Sequence, residues 1–213
     1  MDLLFHIFLG IHIAGGMAAL FTGLAAILAP KGKRLHNRSG RVFFYGMMAV
    51  AVSAVYLGIA HWSEFLLHIA VFSFTLTYAG WRSIRNKSLR PSTLDWLVMA
   101  LGLVNGGWMV STLNTVLIVF GLIQGMNALN DLRTFIRLRR KQPLPPKAWL
   151  LRHIGSMLGA YIATATAFIV VNVRDVEPAW LPWLLPTVLG TPLIVYWSRK
   201  VRLEAQARVK RPA

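Results

Sequence analysis

Long apolar runs constrain this chain more than any other feature. They come in stretches of about 17–25 residues, the length a helix needs to cross a hydrocarbon core of about 30 Å. The first, about Leu3–Ala29, leads into a short basic loop that runs to Arg41, and a second apolar run starts at once. Outer-membrane strands would instead alternate over segments of about ten residues, and these runs do not alternate. At 56% hydrophobic and 14% charged residues, a soluble domain of this length could not cover its apolar surface. The expected fold class is all-α: a polytopic helical membrane protein with seven transmembrane helices.

The seven spans are about Leu3–Ala29, Val42–His61, Phe65–Trp81, Asp95–Thr112, a fifth beginning after Leu113-Asn114 and fading near Asp131–Phe135, Trp149–Asn172 and Pro182–Ser198. Charge tests this parse. If every second connection and the tail lie on one side, 22 of the 23 basic residues lie there, in Lys31–Arg41, Arg82–Arg90, Arg133–Arg152 and Arg199–Arg211; only Arg174 is left. The opposite side holds Asp2, Glu64, Asp175 and Glu177. The positive-inside rule then puts the N-terminus outside and the C-terminus in the cytoplasm. The seventh span carries Pro182, Pro186 and Pro192, yet without it the basic tail would lie outside. Membrane helices tolerate interior proline where neighbours satisfy the freed carbonyls. The expected organisation is one transmembrane domain over 1–198 and a basic tail over 199–213, in a multi-pass protein of the bacterial inner membrane.

The net charge of +16 would suggest nucleic acid in a soluble protein. Here cytoplasmic loops account for it, so the expected partners are the bilayer and its anionic lipids at the cytoplasmic face, with no nucleic acid. No cysteine is present, which excludes disulfides, thiolate metal sites, iron–sulfur clusters and covalently attached haem. The start, Met1-Asp2 with no basic residue before the apolar run, does not read as a cleavable signal.

Six histidines are the main chemical resource. His6, His12, His61 and His68 fall in the outer half of the parse, and His36 and His153 at the cytoplasmic side. Two levels, His12 with His68 and His36 with His153, are what a membrane b-type cytochrome would use: neutral imidazoles on facing helices bind haem iron axially. Gly16, one turn from His12, and Gly159, near the His153 face, could leave room for a flat macrocycle. The alternative is structural, since small residues such as Gly15, Ala19 and Gly23 let helices approach closely, and His36 with its basic neighbours can meet phospholipid headgroups. No span has an H-E-x-x-H pattern.

Gln124, Asn127 and Asp131 share one face of the fifth span at spacings i, i+3 and i+7. Such a stripe faces protein or water rather than lipid. One reading is a proton or solute path. The other is cohesion between helices, with Asp131 paired to a cytoplasmic arginine such as Arg41 or Arg152.

The pattern His12-x3-Gly16-x2-Ala19-Leu20-x2-Gly23, followed by His36-x3-Gly40-Arg41, resembles a family of bacterial predicted multi-helix membrane proteins grouped as a domain of unknown function. The stretch from Trp149 through His153 and Met157 to Tyr161, with Thr166 and Phe168, resembles the later part of such proteins. The resemblance covers about a third of the chain. It implies that His12, His36, Arg41 and His153 are motif positions, and it leaves His6 and His61 outside. It implies no particular activity. Two function classes follow: a haem b or metal protein serving electron transfer, or a cofactor-free transporter, small-solute binder or accessory membrane subunit.

Overall fold

The computed structural model describes residues 3–173 and 175–209, with the side chains of Arg208 and Val209 left out. Asp2 and Arg174, and the tail residues Lys210 and Arg211, lie outside the described residues, as does the side chain of Arg208. Seven α-helices make up the described chain: α1 (Leu3–Leu28), α2 (Arg34–Ala60), α3 (Glu64–Arg85), α4 (Thr93–Ser111), α5 (Thr115–Arg139), α6 (Ala148–Asn172) and α7 (Leu181–Val209). Five of them, all but α3 and α7, are long and apolar enough to cross a membrane.

The helix starts follow local chemistry. Ser63 accepts the Leu66 amide at 3.3 Å and opens α3. Ser92 and Asp95 form a reciprocal capping box on α4. The Asn114 side chain accepts the amides of Val116 and Leu117 at 3.0 and 3.1 Å and opens α5. Each cap satisfies amides that the first turn of a helix leaves without partners.

The basic loop is shorter than the charge pattern suggests. Helix α2 begins at Arg34, so His36 belongs to its first turn rather than to a loop. The same holds at the other end, where α7 continues unbroken from Leu181 to Val209 and buries Val201 and Ala205. The expected boundary at 198–199 therefore falls inside one helix of about 43 Å.

Helices pack as pairs around a centre. The pairs are α1 with α2, α4 with α5, and α6 with α7; α3 packs against α2, α4, α5 and α6. This position explains the modest hydropathy of α3. Its buried residues include His68, Ser73, Thr75, Thr77 and Ser83, which protein partners can satisfy and lipid could not.

Two of these pairings depend on glycine. A Cβ on Gly46 of α2 would sit 2.9 Å from the Gly15 carbonyl of α1, and one on Gly121 of α5 would sit 2.7 Å from the Gly106 carbonyl of α4. Backbones can approach this closely only where both residues are small.

The α5 and α6 helices do not pack along each other, although they are consecutive in the chain. A cleft separates the α4–α5 hairpin from the α6–α7 pair, with Thr75, Leu76 and Ala79 of α3 as its floor.

Candidate functional site

The basic ends of the helices meet at one end of the bundle. Lys31 lies 5.2 Å over the Trp197 ring and Lys87 5.0 Å over the Trp149 ring. Here α1 ends, and its last carbonyls need partners outside the helix. The Lys31 amine donates to the carbonyls of Ile27 and, at 3.1 Å, Ala29. The His36 Nδ1–H donates to the Ala26 carbonyl at 2.9 Å.

Across from it, His153 Nδ1–H donates to the Gly80 carbonyl at 2.9 Å. The two rings face each other edge to face with centroids 6.4 Å apart. Because carbonyls hold both Nδ1 protons, both Nε2 atoms keep their lone pairs when the rings are neutral. The structure thus brings the inner histidine pair together. It does not bring the outer pair together. His12 Nδ1 lies 3.1 Å from Ser53 Oγ of α2, while His68 Nδ1 lies 2.7 Å from Asn105 Oδ1 of α4. Among the described residues, no group of three or more His, Cys, Asp or Glu converges as a metal site.

The motif glycines serve packing or nothing visible. A Cβ on Gly23 would lie 2.4 Å from the Tyr161 ring, so Gly23 makes room for α6. A Cβ on Gly16 would meet only Val50, at 3.9 Å, and one on Gly40 would meet nothing within 4 Å. A Cβ on Gly159 would meet Leu76 of α3 at 3.4 Å, an ordinary helix contact. Arg41 is exposed, and among the described residues its Nε reaches only the Asn37 carbonyl, at 3.4 Å.

His68 begins a buried chain of hydrogen bonds through three helices. Asn105 Nδ2 donates to Gln124 Oε1 at 2.7 Å and to the His68 carbonyl at 3.2 Å. Its Oδ1 therefore faces the ring and accepts from His68 Nδ1–H. Gln124 Nε2 donates onward to Thr75 Oγ1 at 3.1 Å, and Thr75 Oγ1 donates to the Phe72 carbonyl at 3.0 Å. All four polar residues are buried. Asn105 was not foreseen from the sequence, because a single asparagine in an apolar run carries no periodic signal.

Gln124 and Thr75 also border the cleft, which has a volume of about 760 Å³. Asn127 and Asp131 lie further along the same wall, so the polar face of α5 turns toward this space. Asn127 Nδ2 donates to the Ile123 carbonyl at 2.8 Å. Asp131 takes two hydrogen bonds from Arg152 of α6, from Nε at 2.6 Å and from Nη2 at 2.5 Å. Of the two arginines considered for Asp131, Arg152 is the partner and Arg41 is not. Arg152 Nη1 reaches the Ala79 carbonyl of the floor at 3.4 Å.

The cleft is basic at its outer end. Arg133 and Arg137 of α5, Arg140 at its C-cap and Arg202 of α7 line it together with Arg152, against the single acid Asp131. Those four arginines are exposed. Its deeper wall is apolar, from Leu76, Val98, Met99, Ala128 and Leu151. The arrangement pairs an apolar chamber with guanidinium groups suited to forked hydrogen bonds with an oxyanion. A volume of this size lies within the range of about 300–1,000 Å³ typical of small-molecule sites.

Fold and site together define an all-α protein of seven described helices, five of them candidate membrane spans, with a basic cleft at one end. Compared with known protein families, curated proteins and solved structures, the chain finds no match.

Proposed function

We propose that this chain is a multi-pass protein of the bacterial inner membrane that binds a small anionic molecule in the cleft between α5 and α6. All seven helices span, α3 and α7 included, with the N-terminus outside and the cleft opening to the cytoplasm. The carrying observation is the charge of the cleft: five arginines line it against one aspartate, and that aspartate is already engaged by Arg152. An anion entering it meets guanidinium groups with no acidic competitor left. Binding from the cytoplasmic side suits a solute binder, a transporter or an accessory subunit that presents its ligand to others. Native mass spectrometry of the purified protein tests this. A retained anionic molecule is expected, and it should be lost in the double variant Arg137→Ala, Arg140→Ala. A protein that carries no such mass, or carries it equally in the double variant, counts against the reading.

A second reading rests on His36 and His153. Their ring centroids lie 6.4 Å apart, and the two Nε2 lone pairs are the atoms that would hold a metal. Both rings are fixed through Nδ1 by carbonyls, the usual support for ligands that use Nε2. In this reading the pair would hold haem b, which would supply one-electron redox chemistry. Oxidised and dithionite-reduced spectra of protein from haem-supplied cells decide it. A Soret band lost in His153→Ala supports haem; an absent band removes it.

A further inference from the structure

We infer that the anionic molecule is an amphiphile with a phosphate head, seated with its head among the arginines and its alkyl chain along the apolar wall. The inference rests on the anion-binding reading and specifies its ligand.

Three observations carry it. The first is polarity along the cleft. Its α5 wall runs from Gln124 to Arg140, a rise of about 24 Å. Charge is concentrated at one end of that length, with the neutral side chains of Asn127 and Ser156 further in. At the other, Gln124 and Thr75 are polar in name only: Gln124 Oε1 accepts from Asn105, Gln124 Nε2 donates to Thr75, and Thr75 donates to Phe72. With those atoms occupied, Leu76, Val98, Met99 and Ala128 decide what the inner end accepts. A wholly polar solute would leave that surface wet or empty, whereas an alkyl chain fills it.

The second is shape. The same α5 wall is about 24 Å long, which leaves room behind a phosphate head for an extended chain, and a cleft of about 760 Å³ is far larger than a free phosphate needs.

The third is the charge at the mouth. Arg133, Arg137, Arg140 and Arg202 make no ion pair among the described residues, and all four are exposed. A phosphate monoester carries about −1.5 to −2 charges near neutral pH and three acceptor oxygens. It can engage several guanidinium forks at once, where a carboxylate engages one.

The probes are dodecyl phosphate, ethyl phosphate and dodecanol, titrated into the full-length protein in amphipol and followed by its thermal unfolding. Dodecyl phosphate below its micellar concentration should bind at least ~100-fold more tightly than ethyl phosphate, as burial of several methylenes implies. Dodecanol should not stabilise the protein. Gly155→Leu supplies the control inside the cleft. Gly155 lines it, and a Cβ there meets nothing within 4 Å, so the new side chain starts into open space. It should abolish the dodecyl phosphate shift while the unliganded protein unfolds no earlier than the wild type. Equal binding of dodecyl and ethyl phosphate would overturn the amphiphile and leave the anion site standing. A dodecyl phosphate shift that persists in Gly155→Leu would place the amphiphile on the outer surface and also overturn the inference. Failure of both phosphates to bind would remove this inference and the anion-binding reading together.

Discussion

Asp131 and Arg152 join two helices that otherwise stand apart. Their paired hydrogen bonds, 2.6 and 2.5 Å long, cross from α5 to α6 where a cleft separates the α4–α5 hairpin from the α6–α7 pair. Their side chains are 16% and 15% exposed, so solvent screens the pair only in part.

Arg152→Ala strands the Asp131 carboxylate beside the cleft and should destabilise the protein by about 3 kcal/mol, the low end for a buried pair broken on one side. Asp131→Asn keeps a hydrogen-bond acceptor and should cost less. Thermal unfolding in detergent measures both. If Arg152→Ala unfolds with the wild type, the bond does not hold the two walls together.

Asn105 and Thr166 make a contrasting pair. Asn105 is the junction between His68 and Gln124, so Asn105→Leu leaves buried polar groups without partners and should cost about 1–3 kcal/mol. The Thr166 hydroxyl is buried, with no hydrogen-bond partner among the described residues. Thr166→Val, nearly the same shape, should be neutral or stabilising within about 0.5 kcal/mol. Denaturation of the two variants side by side checks the ranking; the reverse order would refute it.

The α4–α5 crossing has its own control. Gly121→Ala places a methyl 2.7 Å from the Gly106 carbonyl and 2.8 Å from the Met109 Cβ. Backbone has little room to yield, and a loss of about 1–3 kcal/mol is expected. The neighbouring position Gly107 meets nothing within 4 Å, so Gly107→Ala should gain about 0.5–1 kcal/mol from helix propensity. Matched unfolding curves for the two variants would show that the crossing is looser than described.

Orientation can be read with reporter fusions at Lys87, between α3 and α4, and at Glu177, between α6 and α7. The distribution of Lys and Arg leads us to expect Lys87 in the cytoplasm and Glu177 outside. Reporters that agree on one compartment would mean that the number of spans between them is wrong.

The number and rough positions of the helices were legible in the sequence because apolar length marks most of them and the distribution of Lys and Arg called for the seventh. Their ends were less so. The spans proposed from Val42 and up to Ser198 become helices from Arg34 and up to Val209. Hydropathy reports where a helix leaves an apolar medium; helical hydrogen bonds continue past that point into charged turns. The polar face Gln124, Asn127 and Asp131 was legible as a face, since its spacing follows the helical period. What it faces was not. The cleft exists because α5 and α6 do not pack along each other while both lie on α3, and a packing choice among seven helices leaves no periodic trace in one strand of sequence. The two histidine levels show the same limit. Depth along each helix suggested both pairs, but rotation about the helix axes turned His12 toward Ser53 and His68 toward Asn105, leaving only His36 near His153.

The central place of α3 has a consequence for how the protein is made. Its serines, threonines and His68 are tolerable because α4, α5 and α6 surround them, yet during synthesis α3 emerges before any of those three exists. A ribosome-bound chain ending after Arg85 would hold a segment whose packing partners, α2 apart, are still untranslated. Its stable residence then waits on α6, sixty-three residues downstream of Arg85 at its first residue Ala148, which makes the maturation of the bundle's middle the work of its later helices.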